Sequence, residues 1–274
     1  MSEADAIASS TQPATVATLR RDLEALGVEQ GMTLMVHSSL SRLGFVAGGA
    51  HAVVLALLES VGPNGTVMMP THSAHLSEPS SWTNPPVPEA WWSTLRTDVP
   101  AYDPVLTPTR GMGAIVECFR HVPGVQRSAH PCVSAAALGP DAAFLVGEHP
   151  LDHALGESSP QARLYELDGH VLLLGVDHGN NTSLHLAEYR AVPPGGHPTI
   201  DYASMIRAAD GTSQWVRYAA IPEDEDDFSD LGEAFASTGD ETQGAVGAGI
   251  GHLMRARDVV DFGTTWLLQH RHGS

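Results

Sequence analysis

Apolar residues at Val16, Leu19, Leu23 and Leu26 recur at helical spacing, and Gly27 follows where a C-cap belongs. The short apolar run Thr33 to His37 reads as a buried strand, Ala50 to Val61 as a helix, and Thr66 to Pro70 as a strand after the turn Gly62-Pro63-Asn64-Gly65. Gly111 to His121 and Ser159 to Leu167 carry helical patterns, the second with Ser159 at the N-cap and Pro160 in the first turn. His170 to Gly175 is a third strand, and a further helix starts at Ser229. Alternating strands and helices predict a layered α/β sheet. Between them, Thr71 to Pro108 is rich in Pro, Trp, Ser and Thr. A structureless segment of that length is usually functional. No internal repeat is present.

The 274 residues correspond to one large or two modest domains. Met1 to Ala14 is small and polar, without the basic start and apolar core of a secretory signal, and reads as a flexible lead-in to a single domain over 15–274. No apolar run approaches the ~18 residues of a membrane span. Cys118 and Cys132 cannot build a disulfide framework, so a reducing cytoplasm fits.

Charge narrows the function further. There are 14 basic residues against 32 acidic ones, all 14 are arginine, and the net charge is −18. Without lysine there is no Walker-type phosphate loop and no Schiff-base enzyme. Nucleic acid is a poor partner for such a chain, whereas cations are attracted to it from a distance. The run Ile221-Pro222-Glu223-Asp224-Glu225-Asp226-Asp227-Phe228 concentrates this charge in a segment expected to stay solvated and mobile.

Three constellations carry chemistry. After the strand at 170–175 comes Val176-Asp177-His178-Gly179-Asn180-Asn181-Thr182, and then a helix bearing His185 and Glu188. Residues three apart share a helical face, so the carboxylate can hold the imidazole and make it a general base. His37-Ser38-Ser39-Leu40-Ser41-Arg42 follows the first strand. Its hydroxyls, free N–H groups and arginine suit a phosphate or diphosphate, although an N-cap serine cluster reads equally well. Thr107-Pro108-Thr109-Arg110-Gly111-Met112-Gly113 combines close backbone approach with one arginine that can hold an anion. Arg127-Ser128-Ala129-His130-Pro131 adds a histidine that is either a site residue or a structural one. Fifteen histidines occur without ligand spacing such as HExxH, and His270 and His272 are tail-like, so no metal site is expected.

In order along the chain, His37-Ser38-Ser39 with Leu43-Gly44, the Trp82–Trp92 segment, Tyr102-Asp103-Pro104 through Gly113, Arg127 to Pro131, Leu167 to Gly175, and His185-Leu186-Ala187-Glu188-Tyr189 resemble the aminoglycoside 3-N-acetyltransferases over about residues 15–268. The resemblance implies a three-layer α/β/α sandwich around a mixed sheet. It also implies acetyl-CoA as donor and a deoxystreptamine amine of a polycationic aminoglycoside as acceptor, a reaction that confers antibiotic resistance. His185 would be the base and Glu188 its orienter. His37, Ser38, Ser39, Ser41, Thr107, Thr109, Arg110, Gly111, Met112 and Gly113 would lie on the cofactor side. His130, Asp177, Glu223, Asp224, Asp226 and Asp227 would face the acceptor. Direct transfer needs a donor for the oxyanion, and a backbone N–H near Ser39 or a threonine hydroxyl are candidates. The alternatives are the same chemistry on another amine, or a Ser/His amidase or esterase using Ser39.

Overall fold

The computed structural model describes residues 3–271; Met1, Ser2 and His272 lie outside them. In chain order the elements are α1 (Glu3–Ser9), α2 (Val16–Leu26), β1 (Thr33–Ser38), α3 (Gly49–Val61), β2 (Thr66–Pro70), α4 (Trp92–Asp98), α5 (Gly113–Phe119), β3 (Gln126–Arg127), β4 (Ala135–Leu138), α6 (Ala142–Val146) and α7 (Pro160–Glu166). They continue with β5 (His170–Leu174), α8 (Ser183–Arg190), β6 (Ile200–Arg207), β7 (Ser213–Ala220), α9 (Phe228–Ala236), β8 (Glu241–Val246), β9 (Gly249–Arg255) and α10 (Ala256–Arg271).

Seven strands form one mixed sheet in the order β3-β4-β2-β1-β5-β9-β8, and β6 with β7 makes a separate hairpin. The centre is parallel: β1 pairs with β2 on one side and with β5 on the other, with Ser38 opposite Leu174. Successive side chains of a strand point to opposite faces, and both faces here are apolar. Leu34, Val36, Leu172 and Leu174 join α2, α3 and α5 in one core, while Met35, Val171 and Leu173 join α6 to α10 in the other. That two-sided burial is why the central strands read as continuous hydrophobic runs. The architecture is the expected three-layer α/β/α sandwich.

The helix predicted from Thr15 forms with a reciprocal capping box between Thr15 and Thr18, and it ends on Gly27 at φ 108°. The lead-in departs from expectation. Residues 3–9 are helical, Ser10 Oγ accepts the Phe45 N–H at 2.9 Å, and Ala14 N–H donates to Phe45 O at 2.9 Å. The helix expected over 111–121 is shorter, Gly113–Phe119, and Gly111 and Gly113 at its start take φ 76° and 82°, outside the helical region. No helix of the described residues is long and apolar enough to cross a membrane.

Leu172 lies at the middle of the sheet, opposite Val36 on one side and Leu253 on the other, with no exposed surface. Leu172→Ala is expected to cost ~2–5 kcal/mol through lost burial and an unfilled cavity. Urea denaturation reads this as a lower midpoint at unchanged slope.

Candidate active site

β1 and β5 end side by side, and ligands in such sheets gather where parallel strands end. The two exit loops press together there. Gly175 has φ 66°, and a Cβ on it would meet Arg42 Cβ at 2.6 Å, so only glycine fits. The β5 loop then feeds α8, which carries the predicted dyad.

His185 Nδ1 donates to Glu188 Oε2 across 2.6 Å, one turn along the helix. Glu188 is 4% exposed, and its other oxygen accepts Asp224 N–H at 3.0 Å and Arg271 Nη1 at 2.5 Å. Phe228 lies between the two charged partners, its ring 5.1 Å from that of His185 and 5.9 Å from the Arg271 guanidinium. With Nδ1 held, the nitrogen left for proton transfer is Nε2, which has no hydrogen-bond partner among the described residues and keeps solvent access. Burial pulls the His185 pKa down, but the Glu188 hydrogen bond and the charges of Glu188, Glu223 and Glu225 prevail and raise it. Arg271 was invisible to sequence reasoning, since nothing in its local pattern points 83 positions back to Glu188.

Around this dyad lie other histidines that stay neutral. Burial, with help from neighbouring histidines, lowers His37, His72 and His130 to about 3; burial lowers His149 to about 4. His130 is not free for an acceptor on its Nδ1 side, which takes the Cys132 and Val133 N–H groups at 3.2 and 3.0 Å. Its ring is 5.1 Å from His149 and edge-on to Tyr218.

The two loops assigned to the cofactor side meet in space. Ser38, Ser39 and Ser41 line one cavity of about 670 Å³ together with Gly111, Met112 and Gly113. His37 is not part of that lining; it is buried, near the rings of His72, His178 and His185. Thr107 Oγ1 accepts Asp103 N–H at 2.9 Å and Thr109 Oγ1 donates to Glu117 at 2.8 Å, so both hydroxyls close their own turn. Arg110 is exposed over the Trp82 ring at 5.9 Å, and among the described residues its guanidinium has neither ion pair nor hydrogen bond. Arg42 is likewise exposed and unpaired, in an adjoining groove that also contains Asp177 and His252.

On the acceptor side the acidic run is not a loose strand of charge. Asp227 is ion-paired with Arg271, Asp224 O accepts from Arg271 at 2.5 Å, and Asp226 N–H donates to Asp224 Oδ1 at 3.0 Å. Glu223 differs. It is partly buried, and among the described residues its one side-chain hydrogen bond is from Tyr189 Oη at 3.4 Å and no cation pairs with it. Burial raises its pKa against the pull of His185, and the charges of Glu188 and Glu225 add to the rise. Asp177 sits elsewhere, in the groove with Arg42, where it accepts Gly179 N–H at 3.1 Å. A second carboxylate secures the β5 exit loop: Glu241 holds His178 Nε2 and His252 Nδ1, each at 2.7 Å. Burial alone would raise the Glu241 pKa, yet the bonds from His178, His252 and Gln243 lower it to about 2.

Serine–histidine chemistry finds no such support. Ser39 Oγ faces Ser41 Oγ at 3.3 Å, and the one serine–histidine bond among the described residues, Ser128 to His149 at 2.9 Å, is buried with the far nitrogen tied to Ala154 O.

A carboxylate-oriented histidine at the strand exits of a three-layer α/β sandwich thus defines the class of the protein. Residues 35–268 match the sequence profile of the aminoglycoside 3-N-acetyltransferases, and the chain belongs to that family. It is 42% identical over 270 residues to the SPbeta prophage-derived aminoglycoside N(3')-acetyltransferase-like protein YokD of Bacillus subtilis, covering 96% of each. The crystal structure of YokD superposes with TM-score 0.94, over 98% of both chains. Aminoglycoside N(3)-acetyltransferase VII of Streptomyces paromomycinus is 39% identical over 97% of this chain and 96% of its own. AAC-IIIb, solved as a binary complex with CoASH, is 34% identical with TM-score 0.84, over 96% of this chain and 99% of that one.

Removing the charge of Glu188 while keeping its shape lowers the His185 pKa. Neutral base is then present at lower pH. For Glu188→Gln the acid limb of the kcat/KM pH profile is expected to move down and the plateau kcat to fall. A limb that stays in place would separate Glu188 from the base.

Proposed function

We propose that this protein transfers the acetyl group of acetyl-CoA directly to the 3-amino group of the deoxystreptamine ring of aminoglycosides, with His185 as general base, and so confers resistance. The observation that carries the reading is His185, oriented by the Arg271-paired Glu188 and within reach of the Glu223 charge, on the helix that follows the loop whose Val176 and Asn180 line the cavity of Ser38–Ser41 and Gly111–Gly113.

Acetyl-CoA is a substrate here, and the cavity fits part of it. Ser38 lines this glycine-bordered space and its Oγ is shielded without a partner among the described residues; Arg42 lines the adjoining groove, and Arg110 precedes Gly111 in the chain with its side chain exposed. Those arginines would hold phosphate oxygens, while Gly111 and Gly113 allow close backbone approach. Glu223 would hold an ammonium group of the acceptor and bring one amine to His185 Nε2. The substrate ammonium loses one proton to solvent, and His185 accepts a second from the amine as its nitrogen attacks the thioester carbonyl. Base catalysis of this kind contributes about 10²–10⁴-fold. The neutral histidines add no positive charge to repel a polycation. Asp224 and Asp227 would act through Arg271 by holding Glu188, with Asp226 and Asp177 adding to the surrounding negative field.

The direct test is CoA thiol release from acetyl-CoA across a panel of aminoglycosides and simple amines. Release is expected with aminoglycosides, together with a mono-acetylated product, and His185→Ala should lose most turnover while binding CoA normally. Release with a simple amine but no aminoglycoside would favour another acceptor within the same chemistry. Burst labelling of the protein with acetate would favour a covalent serine route instead.

Two variants separate the substrates. Arg110→Ala is expected to raise the Kd for CoA about tenfold, the ~1.5 kcal/mol of one charge-assisted hydrogen bond, as calorimetry would read. Glu223→Gln should raise KM for the aminoglycoside and flatten its salt dependence, while Asp226→Asn should do little. The Debye length falls from about 30 Å at 0.01 M salt to about 10 Å at 0.1 M, which makes that slope measurable.

A further inference from the structure

A threonine at the N-cap of a helix ordinarily turns its hydroxyl onto a backbone N–H of the first turn. Thr182 stands at that position of α8, yet it makes no side-chain cap bond. Its neighbour does the capping: Asn181, 1% exposed, accepts the Ser183 N–H on Oδ1 at 3.1 Å. Thr182 Oγ1 is left shielded from solvent without a partner, and so is Asn181 Nδ2. Among the described residues Thr182 carries the one threonine hydroxyl in that state. Buried polar groups without partners destabilise a fold, so two in succession point to a partner that arrives with substrate.

Their place narrows what that partner is. Thr182 lies three residues before His185 and therefore on the same helical face. Glu188 holds the imidazole from the turn beyond, and Thr182 belongs to the turn before. Asn180, at the same bend, lines the cavity shared with Ser38 and Ser39. The helix N-terminus adds its own partial positive charge at this point. Of the other candidates, Ser39 N–H donates to Leu174 O at 2.9 Å and Thr109 Oγ1 donates to Glu117 at 2.8 Å, while Thr107 Oγ1 accepts the Asp103 N–H at 2.9 Å and does not line the cavity.

We propose that the Thr182 hydroxyl donates a hydrogen bond to the acetyl carbonyl oxygen as negative charge develops there. The assignment rests on the acetyl-transfer reading of the site. In the step it serves, the amine nitrogen forms a bond to the thioester carbon, the C=O π pair moves onto oxygen, and the amine proton passes to His185 Nε2. Collapse then breaks the C–S bond, and the imidazolium returns its proton to the leaving sulfur. Thr182 gives up no proton; its bond strengthens as the oxygen becomes an anion, which is where such donors act.

The experiment compares Thr182→Val, which keeps the shape and removes the donor, with Thr182→Ser, which keeps the donor. Thr182→Val is expected to lower kcat by about 10²-fold or more, with KM for acetyl-CoA and for the aminoglycoside nearly unchanged. The fold-loss should be the same for every acceptor, since the oxyanion sits on the donor's carbonyl whichever amine attacks. Thr182→Ser should recover most of the rate. Should Thr182→Val not fold, Thr182→Ala removes the same donor without the branched side chain. Wild-type kcat in the folded valine or alanine variant overturns the assignment. So does a defect confined to KM, or one whose size varies with the acceptor, because either marks a ground-state contact. Wild-type enzyme that releases no CoA with any amine would defeat the acetyl-transfer reading itself and this assignment with it.

Discussion

The arrangement of the whole site follows from one buried carboxylate. Glu188 is almost entirely removed from water, and a charge in that position is tolerated only when its oxygens are met by partners. One oxygen takes His185; the other takes Arg271 and the Asp224 N–H. Those three partners come from the catalytic helix, the end of the last helix and the acidic segment. Meeting one charge therefore fixes three distant parts of the chain against one another. Taking Arg271 away would leave an uncompensated charge in the interior, the expensive way to break a buried pair. The acidic segment is held by the same arginine, which is why a run of like charges folds down here instead of floating.

Burial then sorts the histidines. His37, His72, His130 and His149 lose their charged forms because desolvation meets no carboxylate to oppose it. His185 is subject to the same penalty and escapes it through Glu188. The neighbourhood thus contains several imidazoles held neutral by burial and one, His185, whose charged form is favoured. Glu223 adds to the field as a carboxylate with no cation of its own among the described residues, close enough for its charge to act on His185. The overall charge of −18 acts at longer range, on encounter more than on geometry.

Much of the central scaffold was legible in the chain. The runs at Thr33, Thr66 and His170 are apolar on both faces, and Thr15, Gly27 and Ser159 mark helix ends by chemistry that needs no tertiary context. The His185–Glu188 pair was equally legible, because helical spacing alone puts those residues on one face. Other elements were hidden for specific reasons. Strand β4 is Ala135-Ala136-Ala137-Leu138, residues of low strand propensity that are held by pairing with β2. Strands β8 and β9 are interrupted by Gly244, Gly249 and Gly251, and they exist because β9 completes the edge of β5. The N-terminal lead-in is polar and short, and only its docking against Phe45 shows that it has a place.

What the sequence determined by itself is whatever depends on neighbours along the chain: periodicity, caps, the exclusion of lysine chemistry, and a base with its carboxylate one turn away. What tertiary structure decided is which polar groups remain free. Thr107, Thr109 and Asp227 looked as available as Arg42, Glu223 and Thr182, yet the first three are engaged by Asp103, Glu117 and Arg271, whereas among the described residues Arg42 has no ion pair, Glu223 has only the long bond from Tyr189, and Thr182 Oγ1 has no partner. The pairing of Arg271 with Glu188, and of Glu241 with His178 and His252, spans separations over which sequence carries no signal. A hydrogen bond is satisfied by whatever lies within about 3 Å, and only the folded chain sets that list.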